Sequence, residues 1–192
     1  LECATCEFHK ESMATHSVLA MLHCIVHHGS MEAHVAGLLG LLHDVGKRRT
    51  AVVIKSHICY PCHGELGCSI LLRMWNHTFS SFIDQETWCV LCSAINLHMC
   101  GYHEVSKNEN AMEKWKLLSI HKKEIVDALT ILSIGDTLGG GPRSQENIDE
   151  FWSSRADFQQ ACSASYSHNY RGVLIQVLGG SSSGKTSFCT QI

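Results

Sequence analysis

Apolar residues recur every three or four positions in five segments of the chain, and this spacing predicts helices. The five segments are 13–28, 31–43, 64–75, 85–98 and 122–136. In the first segment the periodic apolar positions are Met13, Val18, Met21, Leu22, Ile25 and Val26. Because each helix has one apolar stripe to bury and the connections are short, we expect an all-α bundle.

The pattern changes after Gly139, where glycine and polar residues become frequent. The polar stretch 162–171 is typical of a linker. The apolar, partly β-branched run that follows predicts a buried parallel strand over 172–178. The sequence therefore predicts a helical domain over 1–161, a linker, and the start of an α/β module over 172–192.

The composition limits the function mainly by exclusion. Of the 192 residues, 45% are hydrophobic and 17% are charged, and the net charge is −3, so only a local basic patch could bind nucleic acid. No apolar run approaches the ~20 residues of a membrane span and no signal segment opens the chain, so we expect no membrane partner. Because the chain begins at Leu1, we expect it to be part of a longer protein.

Cysteine and histidine are frequent, with 11 and 14 copies. With an odd number of cysteines and no signal segment, we expect free thiols in a reducing, cytoplasmic compartment. Zinc is the alternative, with Cys3, Cys6 and His9 as its best candidate ligands, although no complete four-ligand spacing is present. The CxxC pairs are Cys3/Cys6, Cys59/Cys62 and Cys89/Cys92.

The motif LLHDVGK places His43 and Asp44 at the end of an apolar helix. Neighbouring helical residues point about 100° apart, so both side chains reach the bundle interior only if something polar lies there. A buried carboxylate beside imidazoles is unfavourable unless it is paired or binds a cation. Gly46 is expected to break the helix and to let Lys47 turn toward the same place.

Four other segments place a histidine or an aspartate at or near a helix end, and these are His16, His63, His98 and Asp136. The chain order His, His-Asp, His, His, Asp resembles the HD superfamily of metal-dependent phosphohydrolases over about 12–140. His103 is the alternative to His98, and His57 lies near the same loop. The other histidines are expected to be ordinary surface or capping residues: His9, His23, His27, His28, His34, His77, His121 and His168.

This resemblance implies a divalent-metal centre of manganese or a similar transition metal, with one or two ions. His16, His43, Asp44 and Asp136 would hold the first ion. Asp44 would also bridge to a second ion, which His63 and His98 would bind unless they contact the scissile phosphate. Imidazole and carboxylate ligands suit such ions, and two ions can clamp a phosphate ester. The catalytic residues implied are Asp44, Lys47, His63 and His98.

Residues 179–186, GGSSSGKT, match the phosphate-binding loop G-x-x-x-x-G-K-[ST] after the predicted strand. Gly179 and Gly184 would let backbone N–H groups surround the phosphates of ATP or GTP. Lys185 would contact the β- and γ-phosphates, and Thr186 would bind Mg²⁺. A Gly/Ser linker is the alternative. Since so little sequence follows, we expect no kinase activity from this chain.

An HD domain followed by a phosphate-binding loop resembles the HD-domain polynucleotide kinase family of RNA end-healing enzymes. The resemblance implies hydrolysis of 2′,3′-cyclic phosphate or 3′-phosphate at RNA ends. The alternatives are an HD nucleotidase acting on free nucleotides and a nucleotide-binding sensor without turnover. Candidate RNA contacts are Lys47-Arg48-Arg49, Lys107, Lys114, Lys116, Lys122 and Lys123.

Overall fold

A computed structural model of the chain describes residues 12–54, 57–100 and 123–140. These residues are mainly helical, with a single two-stranded sheet, so the predicted mainly α class is confirmed for them. The helices are α1 (Met13–Val26), α2 (Ala33–Leu42), α3 (Lys47–Thr50), α4 (His63–Met74), α5 (Gln85–Leu97) and α6 (Lys123–Gly139). A π-helical turn, Trp75–Phe79, extends α4, and a 3₁₀ turn, His98–Cys100, extends α5.

Local side-chain chemistry explains where several helices begin and end. Ser12 caps α1 by accepting a hydrogen bond from the Thr15 backbone N–H at 3.2 Å. Asp84 caps α5 in the same way, accepting from the Thr87 N–H at 2.9 Å. After α1, Gly29 has a positive φ of 59°, which glycine adopts without strain.

The small sheet was not predicted. Strands β1 (Val52–Ile54) and β2 (His57–Cys59) pair in antiparallel register, with Val53 opposite Ile58. All three residues of β1 are exposed, so this hairpin adds little to the core. Its importance is positional, because it carries the chain from the end of α3 to the start of α4.

The core lies between α2, α4, α5 and α6. Trp88 of α5 is 1% exposed and stacks on Phe79, with ring centroids 4.4 Å apart. Aliphatic side chains fill the remaining space, and burying each one contributes roughly 1.5–3 kcal/mol. The fully buried ones are Leu39, Leu71, Leu91, Ile95 and Leu132.

Helix α1 packs through a different face from the one that its large apolar residues predict. Val18, Leu22 and Val26 are 44%, 48% and 72% exposed, whereas Met13, Met21 and Ile25 are half-buried, so the predicted apolar stripe is only partly buried. The buried residues of α1 are His16, Ala20 and Cys24.

This small face is buried because glycines on α2 and α6 let the helices approach very closely. A Cβ atom at Gly40 would lie 2.7 Å from the Ala20 carbonyl oxygen, and one at Gly139 would lie 2.7 Å from the Ala20 nitrogen. Neither distance is compatible with a side chain, so glycine is required at both positions. The close approach also brings His16 next to the ends of α2 and α6.

Gly46 allows a second close approach, and the expectation that it breaks the helix is wrong. Its backbone is right-handed helical, with φ −74° and ψ −24°. Helix α2 has already ended at Leu42. A Cβ atom at Gly46 would overlap the carbonyl oxygen of His63 and would lie 2.9 Å from the nitrogen of Gly67. Glycine is therefore needed for contact with α4.

Several predictions fall on residues that the structure does not describe. These are the 162–171 linker, the 172–178 strand, the phosphate-binding loop and the pair Cys3/Cys6. Within the described ranges, every helix is too short or too polar to cross a lipid bilayer.

Candidate metal centre

Five elements bring six of the predicted ligands together, and we call this group the His/Asp centre. Four of the six side chains, His16, His43, Asp44 and His63, are at most 4% exposed, and that of His98 is 5% exposed. Asp136 is 37% exposed and lies where the centre meets solvent. The residues are His16 of α1, His43 and Asp44 after α2, His63 of α4, His98 after α5, and Asp136 of α6.

Asp44 is shared between two pairs of imidazoles. Its Oδ2 lies 3.2 Å from His43 Nε2 and 3.7 Å from His16 Nε2. Its Oδ1 lies 3.3 Å from His63 Nε2 and 3.9 Å from His98 Nε2. These contacts form two trios of ligand residues: the first trio is His16, His43 and Asp44, and the second trio is Asp44, His63 and His98. In each trio the three ligand atoms lie within 4.8 Å of one another, so each trio could hold a metal ion.

Asp136 adds a second carboxylate to the first trio. Its Oδ1 lies 3.0 Å from His16 Nε2 and 3.5 Å from His43 Nε2. The first ion would therefore have four protein ligands, and the second ion would have three. An ion with three protein ligands retains coordination positions for other oxygen atoms.

Backbone carbonyl groups orient all four imidazoles. A carbonyl oxygen only accepts hydrogen bonds, so the facing Nδ1 carries the proton, and in a neutral ring Nε2 then has a free lone pair. This arrangement fixes metal-binding histidines in proteins. The Nδ1–oxygen distances are 3.2 Å for His16 to Gly139, 2.7 Å for His43 to Gly40, 2.7 Å for His63 to Tyr60 and 2.6 Å for His98 to Ile95.

The lone pairs that result face each other in pairs. His16 Nε2 is 3.3 Å from His43 Nε2, and His63 Nε2 is 3.0 Å from His98 Nε2. Such contacts require a proton or a metal ion between the nitrogens. Both carboxylate oxygens of Asp44 are also buried without a well-aligned hydrogen bond. The donor set therefore fits divalent cations.

Without metal, a proton on His43 compensates part of the negative charge. Burial alone would lower the pKa of His43, but the charge of Asp44 and the contacts with Asp136 and Asp44 raise it to about 10. Burial opposes ionisation of the Asp44 carboxyl group. Even so, the charge of His43 holds the pKa of Asp44 well below its usual range, and contacts with His16 and His43 do the same for Asp136.

His98 has the opposite protonation. Its burial, together with the positive charge of His43, lowers the pKa of His98 to about 4. The ring is therefore neutral near pH 7, with Nδ1 bonded to Ile95 and Nε2 facing the centre. Neutral imidazole is the form that binds metals.

Lys47, the first residue of α3, also reaches the centre. Its Nζ lies 2.5 Å from Asp44 Oδ2, and its side chain is 12% exposed. The same Nζ lies 5.6 Å from the ring centroid of Tyr60. Tyr60 was not predicted as a site residue, because a tyrosine in a short loop has no periodic or motif signal.

The other candidate residues lie elsewhere. His57 is exposed on β2 and belongs to neither trio, and His103 lies outside the described residues. Within the described part of the chain, no cysteine joins a cluster of three close ligand atoms, and the cysteines form no disulfide bond. The predicted phosphate-binding residues Gly179, Gly184, Lys185 and Thr186 are also outside the described residues, as are His9, His121 and His168. The remaining histidines, His23, His27, His28, His34 and His77, lie outside both trios.

Comparison of the chain with protein-family models, curated proteins and solved structures gave no match. Fold and centre together define a mainly helical protein with buried His/Asp groups that could hold a metal ion.

Proposed function

We propose that this chain is a divalent-metal-dependent phosphoesterase of the HD superfamily. The observation that carries the proposal is the sharing of Asp44 between two imidazole pairs, since each carboxylate oxygen faces one pair. A shared carboxylate between two nitrogen-rich ligand sets is suited to two neighbouring ions. In each trio the ligand atoms already lie within 4.8 Å of one another, so the ligands need no large rearrangement before ions bind.

The ligand types favour manganese or a similar transition metal. Magnesium and calcium prefer oxygen ligands, whereas four of the six ligand residues here are histidines, which bind through an imidazole nitrogen. A structural zinc site is closed by four protein ligands, whereas the second trio has only three. When bound, the ions supply Lewis-acid polarisation of a phosphate ester and make water a better nucleophile.

The residues of the chain have separate tasks in this proposal. The carbonyl groups of Gly40, Tyr60 and Ile95 hold three of the imidazoles, whose Nε2 atoms would bind the ions. Asp44 keeps the two ion sites adjacent. Lys47 places a positive charge beside them, which offsets the negative charge of a phosphate.

The proposed substrate is a 2′,3′-cyclic phosphate or 3′-phosphate at an RNA end. The resemblance of residues 179–186 to a kinase phosphate-binding loop supports this choice, since the two motifs occur in this order in the end-healing family. Arg48 and Arg49, the two residues after Lys47, are exposed and are the proposed contacts for a phosphodiester backbone. Free nucleotides are the competing substrates.

Metal-dependent hydrolysis tests the proposal. The metal-free chain is supplied with Mn²⁺, and phosphate release is measured from 3′-phosphate and 2′,3′-cyclic oligonucleotides and from mononucleotides. His16→Gln is expected to abolish the release, whereas His23→Gln, a change on the same helix outside the centre, leaves it intact. Absence of hydrolysis by the unmodified chain, or full activity of His16→Gln, would contradict the proposal. Faster hydrolysis of mononucleotides would indicate the nucleotidase.

A further inference from the structure

Tyr60 contacts the His/Asp centre through two different groups. It lies in the loop between β2 and α4. Its backbone carbonyl accepts a hydrogen bond from His63 Nδ1 at 2.7 Å, which orients one ligand. The centroid of its ring lies 5.6 Å from Lys47 Nζ, within the ~6 Å range of a cation–π interaction. The first contact involves only the backbone, and the second depends on the side chain.

Lys47 has two partners of different kinds. Its ammonium lies 2.5 Å from Asp44 Oδ2, the oxygen that faces His16 and His43. A metal ion on the first trio would share this oxygen with the ammonium, and two cations on one carboxylate oxygen repel each other. Metal binding would therefore weaken the Lys47–Asp44 ion pair. The face of an aromatic ring attracts an ammonium and does not bind the metal ligands.

We propose that the ring of Tyr60 keeps the Lys47 ammonium beside the centre when Asp44 binds metal, so that Lys47 meets the phosphate of the substrate. This inference rests on the proposed phosphoesterase function. Tyr60 is a positioning residue, because it acts through Lys47. An aromatic ring at position 60 is required, whereas the phenol hydroxyl is not.

Two substitutions separate the ring from the backbone contact. Tyr60→Leu removes the ring, Tyr60→Phe retains it, and both keep the carbonyl that orients His63. In the zinc-loaded chain, a nearby ring shifts the NMR signal of the Lys47 ε-methylene group, which is assigned by its absence in Lys47→Arg. We expect this shift in the unmodified chain and in Tyr60→Phe, and its loss in Tyr60→Leu. An identical signal in all three proteins would overturn the inference, whether or not the chain is an enzyme.

Kinetics supply the second readout. With Mn²⁺, Tyr60→Leu is expected to weaken inhibition by inorganic phosphate about fivefold, as loss of a typical cation–π interaction implies. Tyr60→Phe should be inhibited by phosphate as strongly as the unmodified chain, and the amount of bound metal should be the same in all three proteins. In a Lys47→Ala background, Tyr60→Leu should have no further effect. If the effect persists there, the ring acts directly on the ligand and the inference is wrong. Absence of activity in the unmodified chain would instead refute the proposed function, and the NMR result would still decide on the Tyr60–Lys47 contact.

Discussion

Replacing Gly46 by alanine would insert a methyl group between the turn after α2 and the first turn of α4. The new Cβ would overlap the carbonyl oxygen of His63 and lie 2.9 Å from the carbonyl carbon of His63 and the nitrogen of Gly67. All three neighbours are backbone atoms, so no side chain can rotate away. Relieving the overlap requires a separation of about 1 Å, judged from ordinary contact distances.

The size of the expected losses of stability and activity depends on which residues this separation displaces. His63 Nε2 lies 3.3 Å from Asp44 Oδ1, so a shift of His63 directly changes the second trio. Overpacking of this kind destabilises a protein by roughly 1–3 kcal/mol. A ligand or catalytic group misplaced by about 1 Å can reduce activity about 100-fold. We expect Gly46→Ala to lose the second metal ion before it loses the fold.

The matched control is Gly29→Ala. Gly29 has a φ of 59°, and a Cβ there would meet nothing within 4 Å. Alanine in this left-handed conformation costs roughly 1–2 kcal/mol, comparable with the expected effect at Gly46. The control therefore lowers stability without displacing the His/Asp centre.

Urea unfolding and calorimetric titration with Mn²⁺ measure the two effects separately. We expect both variants to unfold at lower urea concentrations, but only Gly46→Ala to bind fewer ions or to bind them more weakly. If Gly46→Ala binds Mn²⁺ as the unmodified chain does, the close approach of this turn to α4 does not set the geometry of the centre. That result would refute the reasoning.

Three further predictions concern charge, protonation and packing. Elemental analysis should find at most one bound Mn²⁺ ion in Asp44→Asn, whereas the surface change Asp127→Asn should not lower the metal content. Equal metal content in the two variants would contradict the bridging role of Asp44. The pKa of His43 is about 10 in the folded, metal-free chain, against 6.5 for an ordinary histidine. Protonated His43 therefore stabilises the folded chain fully below pH 6.5, and this stabilisation is lost as the pH rises toward 10. In the metal-free chain the urea midpoint of unfolding should therefore fall between pH 6.5 and pH 10, and it should fall less when Mn²⁺ is bound. A midpoint that rises with pH in the metal-free chain would refute the raised pKa of His43. Leu71→Ala should lower the free energy of unfolding by roughly 2–5 kcal/mol, because Leu71 is fully buried, and a loss below ~1 kcal/mol would contradict this packing.

The five main helices could be predicted because their apolar periodicity is strong. The cap that Asp84 provides at the start of α5 was not among the predictions. The residues of the centre could be named because each lies at or near a helix end in a characteristic order. Their grouping around a shared Asp44 was implied only by the resemblance, and the distances between their ligand atoms could not be predicted, since these depend on tertiary packing.

The features that the sequence did not reveal depend on contacts between distant segments. The packing face of α1 is built from His16, Ala20 and Cys24, which carry little apolar signal, because glycines of other helices let their backbones approach. The hairpin strands have only three residues each, too few for a periodic pattern. Tyr60 contributes through its carbonyl and ring, and neither role has a sequence motif.

Electron paramagnetic resonance of the chain titrated with Mn²⁺ tests whether Asp44 links two metal ions. Two ions that share a carboxylate lie close together, so their unpaired electrons couple and the spectrum differs from that of an isolated ion. We expect two bound ions per chain with a coupled spectrum, and a single uncoupled ion in Asp44→Asn. A spectrum of isolated ions in the unmodified chain, or no bound manganese at all, would contradict a two-ion centre built around Asp44.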